Sequence, residues 1–173
     1  MKKNKKYIFD LDNTLVYTDK LNNDSYNYAL KNIGLPQINK VKRITRETVF
    51  ETYNFINITE KSKIIKLKNE YFINNLHITY MNELVVEVLK RQNKDNCILW
   101  TSADETRVKA LLEYYHINDL FKKILITDKT DILHDIEEIC KLHKCDLEQL
   151  VFYEDNIILI EKLGKLNLNV IGV

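Results

Sequence analysis

Tyr7-Ile8-Phe9-Asp10-Leu11-Asp12-Asn13-Thr14 is the stretch on which the reading of this chain turns. Three apolar residues run straight into two carboxylates two positions apart, and Leu15-Val16 resumes the apolar run. A short apolar segment of this kind reads as a buried strand whose carboxyl end delivers polar groups. The arrangement recurs downstream. Thr101 follows Cys97-Ile98-Leu99-Trp100, Lys129 follows Ile124-Leu125-Ile126, and Glu154-Asp155 follow Leu150-Val151-Phe152.

These runs belong to a larger rhythm. Strand-like segments fall at about 6–11, 96–101, 123–127, 150–154 and 168–172, and amphipathic helical stretches separate them at Thr79 to Arg91, Asp104 to Tyr115, Asp131 to His143 and Ile157 to Leu166. Strand and helix alternating in this way predict an α/β fold: a Rossmann-like parallel five-stranded sheet with helices on both faces. One connection breaks the pattern. More than 80 residues separate the first strand from the second, far more than a crossover needs. Helical stretches at about 19–34, 45–54 and 59–75, with Gly34-Leu35-Pro36 as a break, predict a small inserted helical cap over 18–78 and a core formed by 1–17 and 79–173. In an open parallel sheet, ligands bind beyond the carboxyl ends of the strands. Asp10, Asp12, Thr101, Ser102, Lys129, Glu154 and Asp155 are therefore expected to face one crevice.

Composition narrows the class of protein. A 45% hydrophobic and 29% charged chain with net charge +1 is an ordinary globular one, with no general electrostatic pull towards nucleic acid or membranes. Lys2-Lys3-Asn4-Lys5-Lys6 and Lys40-Val41-Lys42-Arg43 read as solvated stretches, so no specific nucleic-acid binding is expected. The basic start leads into only three apolar residues before Asp10, whereas a secretory core needs roughly 7–15. No window reaches the roughly 18 apolar residues of a membrane span. Cys97, Cys140 and Cys145 make no even framework, which fits a reducing interior; a cytoplasmic monomer is expected. Cys140 to Cys145 has no second ligand pair nearby, so a zinc role is disfavoured, and the histidines at 77, 116, 134 and 143 read as surface or packing residues. Glycine at 34, 164 and 172 alone leaves no P-loop and no dinucleotide fingerprint.

The polar set suits phosphoryl transfer to a carboxylate. Hydrolysis of a phosphomonoester needs a nucleophile, a proton donor for the leaving oxygen, and positive charge on the non-bridging oxygens. Asp10 can attack phosphorus and form an aspartyl-phosphate, provided its repulsion from the dianion is offset. Mg²⁺ does this with oxygen ligands, for which Asp10, the backbone carbonyl of Asp12, and Asp155 are candidates, with Glu154 in the first or second layer. Thr101 offers a hydroxyl donor, Ser102 a backbone amide, and Lys129 an ammonium to the transferring group. Asp12 can donate a proton to the leaving group and later activate water.

On these residues the chain resembles the haloacid dehalogenase superfamily, in the branch with a helical cap after the first motif. Asp-x-Asp-x-Thr falls on Asp10-Leu11-Asp12-Asn13-Thr14, the strand ending in Thr on Ile98-Leu99-Trp100-Thr101, the lysine on Lys129 and the acidic pair on Glu154-Asp155. The resemblance covers the whole chain. It implies a Mg²⁺-dependent phosphatase acting on a small phosphorylated substrate such as a nucleotide or sugar phosphate, and Asp12 sets it apart from the dehalogenases. Three departures stand out: Tyr17 replaces a frequent acidic residue, Thr130 follows the lysine instead of proline, and the segment before Lys129 is short, which leaves Lys123 as the alternative lysine. A sugar phosphomutase is the first rival, although Asn22 stands about where such mutases carry a histidine. A catalytically silent binding protein on the same fold is the second. Arg43 and Arg46 are candidates for substrate choice in the cap, and Asp19 reads as a helix N-cap.

Overall fold

The computed structural model describes residues 4–173; Lys2 and Lys3, read from sequence as solvated, lie outside the described residues. Seven strands and seven helices follow one another within them. They are β1 Lys6–Phe9, β2 Val16–Tyr17, α1 Asp19–Asn32, α2 Arg46–Thr52, α3 Ile58–Asn74, β3 Tyr80–Met81, α4 Glu83–Lys90, β4 Cys97–Thr101, α5 Glu105–Tyr114, β5 Lys123–Ile126, α6 Ile132–His143, β6 Leu150–Glu154, α7 Ile157–Lys165 and β7 Asn169–Gly172. The chain divides into two compact units, Met1–Val16 with Met81–Val173 and, separately, Tyr17–Tyr80.

The first unit carries a five-stranded sheet in the order β5-β4-β1-β6-β7. Every pairing is parallel, with Phe9 opposite Leu99 and Tyr153, Thr101 opposite Ile126, and Glu154 opposite Gly172. All five strands therefore end at one edge. The chain builds outward from β1 through β4 to β5, then returns to the other side of β1 for β6, so the strand order reverses between β1 and β6. Such a reversal opens a crevice at the carboxyl edge.

The central strands β1, β4 and β6 are covered on both faces, which is why they read as continuous apolar runs, whereas the edge strands β5 and β7 are more exposed. On one face Ile8, Ile98, Trp100, Leu150 and Phe152 pack with Ile132, Ile136 and Ile139 of α6 and Leu159 and Leu163 of α7. Trp100 meets Phe152 edge-on, with ring centroids 5.9 Å apart. The alternate residues Phe9, Cys97, Leu99 and Val151 are buried too, while α4 buries Val85, Val86 and Leu89, and α5 buries Val108, Leu111 and Leu112.

Two boundaries differ from the sequence expectation. The first strand stops at Phe9 rather than running to 11, because the next residues form a tight turn. Asn13 takes φ +61°, its N–H donates to Val16 C=O at 2.7 Å, and the N–H groups of Leu15 and Val16 both donate to Leu11 C=O. The helix expected from Thr79 begins at Glu83, because Tyr80–Met81 pairs with Val16–Tyr17 in a two-stranded sheet. Period 3.6 cannot reveal so short an extended segment ahead of a helix.

The second unit is helical and has its own core of Tyr26, Ala29, Leu30, Ile44, Val49, Tyr53, Ile56 and Ile64. Its helices begin where their sequences supply caps. The Thr45 side chain accepts from Thr48 N–H, and Asn57 and Glu60 form a reciprocal capping box. Gly34, at φ +79°, supplies the left-handed turn after α1. Asp19 is not a cap. It is the first residue of α1, after Thr18, and its Oδ1 accepts from Arg43 Nη1 at 2.5 Å. No helix among the described residues is long and apolar enough to cross a membrane.

Candidate active site

The site lies wholly within the first unit and grows from the strand ends. Asp10 follows β1 directly, and its N–H donates to Tyr153 C=O at 3.0 Å, which locks it beside the end of β6. Glu154 closes β6, and both side chains are buried. Carboxylate oxygens of Asp10, Glu154 and Asp155 all lie within 4.8 Å of one another.

Lys129 joins this acidic group from the loop after β5. Its Nζ donates to Asp10 Oδ1 at 2.7 Å and to Glu154 Oε2 at 2.9 Å. On the way it lies over the Trp100 ring, 4.7 Å from the centroid. Lys123, the alternative from sequence, is the exposed first residue of β5 and so stands at the opposite end of that strand. Lys129 precedes α6 by three residues and lies in the left-handed region at φ +57°.

Charge balance gives the cluster its character. Burial pushes the Asp10 carboxyl up to about 7; the Lys129 ammonium opposes the shift, while the charges of Glu154 and Asp12 add to it. Burial pulls Lys129 down, but the charges of Asp10 and Glu154 and their hydrogen bonds outweigh it and hold its pKa above the ordinary lysine value. The ammonium thus bonds to two of the carboxylates, and Asp155 lies beside them. Hard oxygen donors at this spacing suit a small divalent cation, which takes oxygen ligands at about 2.0–2.1 Å for Mg²⁺. The residues present therefore fit such an ion, with Asp10, Glu154 and Asp155 to hold it.

Thr101 is buried at the end of β4, and its Oγ1 accepts from Ala103 N–H at 3.2 Å while its C=O accepts from Thr127 N–H at 3.0 Å. Ser102 is exposed beside it and does not cap α5; Asp104 does, its side chain accepting from Thr106 N–H.

Asp12 is brought to a partner that the sequence reading missed. Arg107, on α5, is almost fully buried and pairs with the Asp12 carboxylate through Nη2. A signal was present: Arg107 stands on the stripe that carries Val108, Leu111 and Leu112, where an arginine is costly unless paired. Asp135 was missed as well. It lies buried on α6 and accepts from both Trp100 and Thr127.

In the helical unit, Arg43 is tied to Asp19 and lies 3.4 Å from Thr18 Oγ1, whereas Arg46 is exposed at the start of α2. Asn22 is buried, and its side-chain amide donates to Ile44 C=O at 2.7 Å. Of the histidines, only His143 is buried.

A family model for haloacid dehalogenase-like hydrolases matches residues 7–173. No curated protein matches the chain in sequence. Several solved structures share its fold. A predicted phosphoglycolate phosphatase from Haemophilus somnus 129PT matches with a TM-score of 0.83 at 21% identity, over 99% of this chain and 86% of that one. A HAD-superfamily hydrolase of subfamily IA, variant 1, from Geobacter sulfurreducens PCA matches with 0.71 at 10% identity, over 98% and 86%. CbbY from Rhodobacter sphaeroides, solved in complex with phosphate, matches with 0.69 at 16% identity, over 97% and 85%. At these identities the likeness is one of fold.

Proposed function

The chain belongs to the haloacid dehalogenase-like hydrolases, and we propose that within that family it is a Mg²⁺-dependent phosphatase that hydrolyses a small phosphomonoester through an aspartyl-phosphate on Asp10. The observation that carries this reading is the contact of Lys129 with both Asp10 and Glu154 at the crevice between β1 and β6. A nucleophile, a counter-charge and an acidic cation site meet there, with Asp12 two residues away.

An Asp10 carboxylate oxygen attacks phosphorus while the bond from phosphorus to the leaving oxygen breaks. Asp12, protonated on entry to this step, passes its proton to that oxygen and is left as the carboxylate that pairs with Arg107. It then takes a proton from water as the water oxygen attacks the phosphorus of phospho-Asp10; the bond from phosphorus to Asp10 breaks and inorganic phosphate leaves. When bound, Mg²⁺ supplies the positive charge that offsets the clustered carboxylates and the phosphate dianion. Lys129 adds a fixed ammonium beside the transferring group, and Thr101 a buried hydroxyl at the end of the neighbouring strand.

The mutase reading is the weaker one, because the Asn22 amide is engaged by the Ile44 carbonyl and carries no proton-transfer group. Substrates to test first are phosphoglycolate, for which one fold relative is named, together with nucleotide and sugar phosphates. Purified protein with Mg²⁺ should release inorganic phosphate from at least one member of such a panel, and rapid quench should show one added phosphoryl group on Asp10. Binding without turnover would favour the silent-protein reading, and transfer between two positions of one sugar would favour the mutase.

A further inference from the structure

Asp135 takes no part in the chemistry proposed above, yet its carboxylate is buried one turn into α6 and engaged twice. Its Oδ2 accepts from Thr127 Oγ1 at 2.7 Å and from Trp100 Nε1 at 3.2 Å. A buried carboxylate is costly unless such donors satisfy it, so the arrangement calls for a reason.

The direction of these bonds supplies one. A carboxylate only accepts, so the single Thr127 hydroxyl hydrogen is committed to Asp135. The lone pairs of the same oxygen are then left to accept, and two donors point at them: Trp100 Nε1 at 3.0 Å and the backbone N–H of Lys129 at 3.3 Å. Asp135 thereby orients the hydroxyl that holds the Lys129 backbone. Thr127 is itself anchored to the sheet edge, since its N–H donates to Thr101 C=O at 3.0 Å.

Lys129 needs this hold. A lysine at φ +57° sits where a Cβ is disfavoured, and a loop left to itself relaxes towards ordinary backbone angles. Its side chain must also cross from β5 over β4 to reach Asp10. The indole that donates to Asp135 and Thr127 presents its ring to the Lys129 ammonium at 4.7 Å, which favours the cation along that path.

We propose that Asp135, Thr127 and Trp100 form a positioning unit that fixes the backbone and ammonium of Lys129 for phosphoryl transfer; its catalytic consequence rests on the phosphatase reading. Thr127 offers the sharpest test, because valine removes the hydroxyl at nearly constant volume and serine restores it. In the Mg²⁺-loaded protein, Thr127→Val should lower kcat/KM by about tenfold, the effect of losing one oriented hydrogen bond, and weaken inhibition by inorganic phosphate. Thr127→Ser should regain most of the loss. In a Lys129→Ala background, Thr127→Val should cost almost nothing further, since the group it positions is gone.

Amide hydrogen exchange at Lys129 reads the placement without any turnover. Exchange should be slow in wild type and Thr127→Ser and about tenfold faster in Thr127→Val, with the thermal midpoint of each variant checking the fold. Asp135→Asn, which keeps an acceptor oxygen, should lie closer to wild type than Asp135→Leu. Unchanged exchange in Thr127→Val overturns the proposal, as does a loss of activity equally large with and without the Lys129 side chain. A wild type that releases phosphate from no phosphomonoester overturns the phosphatase reading, and Lys129 exchange then decides the positioning alone.

Discussion

Replacing Arg107 with methionine removes the guanidinium from Asp12 while keeping a long side chain on the buried stripe of α5. The Arg107 and Asp12 side chains are only 7% and 16% exposed, so both charges are largely withdrawn from water. Removing one partner from a fully buried pair costs about 3–5 kcal/mol. Asp12 retains some solvent, which places this case at about 2–3 kcal/mol of conformational stability. For a chain of this size that is a fall of about 5–10 °C in thermal midpoint. Catalysis should suffer separately. A freed Asp12 is less often aligned for proton transfer, so turnover should fall by about 10–100-fold, within the 10²–10⁴-fold ceiling for losing the acid–base group entirely. Alkyl and aryl phosphates separate the two reaction steps. An aryl leaving group departs without a proton, so phosphoenzyme should form at near-normal rate and then accumulate, visible by intact mass. Arg107→Lys should be intermediate, since it restores charge but not the planar fork. Turnover of alkyl phosphates by Arg107→Met at the wild-type rate would refute this coupling. So would an equal loss in an Asp12→Asn background and in wild type, because the effect would then not run through Asp12.

Asp10→Asn should abolish turnover while circular dichroism and gel filtration stay those of wild type, since an amide forms no phosphoenzyme; residual phosphate release would assign the nucleophile elsewhere. Activity on an aryl phosphate should vanish on exhaustive chelation, return with Mg²⁺ and stay low with Ca²⁺, whose larger and looser coordination misplaces the nucleophile. Acid should destabilise the fold through His143. Burial, together with the Lys6 and Lys122 ammonium charges, pushes its imidazole down to about 4, below the ordinary histidine value of 6.5. The unfolded chain then binds a proton that the folded chain refuses, so this stability is whole above pH 6.5 and is lost as pH falls towards 4, by about 3 kcal/mol. His143→Leu should flatten that part of a chemical-denaturation profile, and an unchanged slope between pH 6.5 and 4 would count against it.

Much of this protein is local in sequence. Four apolar runs that end in polar residues, with a fifth at 168–172, define a parallel sheet, because strands covered on both faces are apolar throughout and turn polar only where they emerge. Asp10, Thr101 and Glu154 are therefore legible as one group from the sequence alone: the parallel rule carries strand ends to one edge however far apart they lie in the chain. The helical character of α1, α2 and α3 is legible for a similar reason, since caps and breaks such as Asn57, Glu60 and Gly34 act over a few residues.

What tertiary structure alone decided concerns side chains whose meaning comes from distant partners. Lys123 and Lys129 look alike in sequence; only strand direction puts the first at the far end of β5 and the second beside Asp10. Arg107 is 95 positions from Asp12, and no local pattern names that pairing. Trp100 reads as one more apolar strand residue until its indole nitrogen and ring face meet Thr127, Asp135 and Lys129. The physical reason is common to all three. Backbone periodicity is set by neighbours along the chain, whereas the partner of a buried charge or donor is whichever group the folded sheet and its crossover helices bring within about 3 Å.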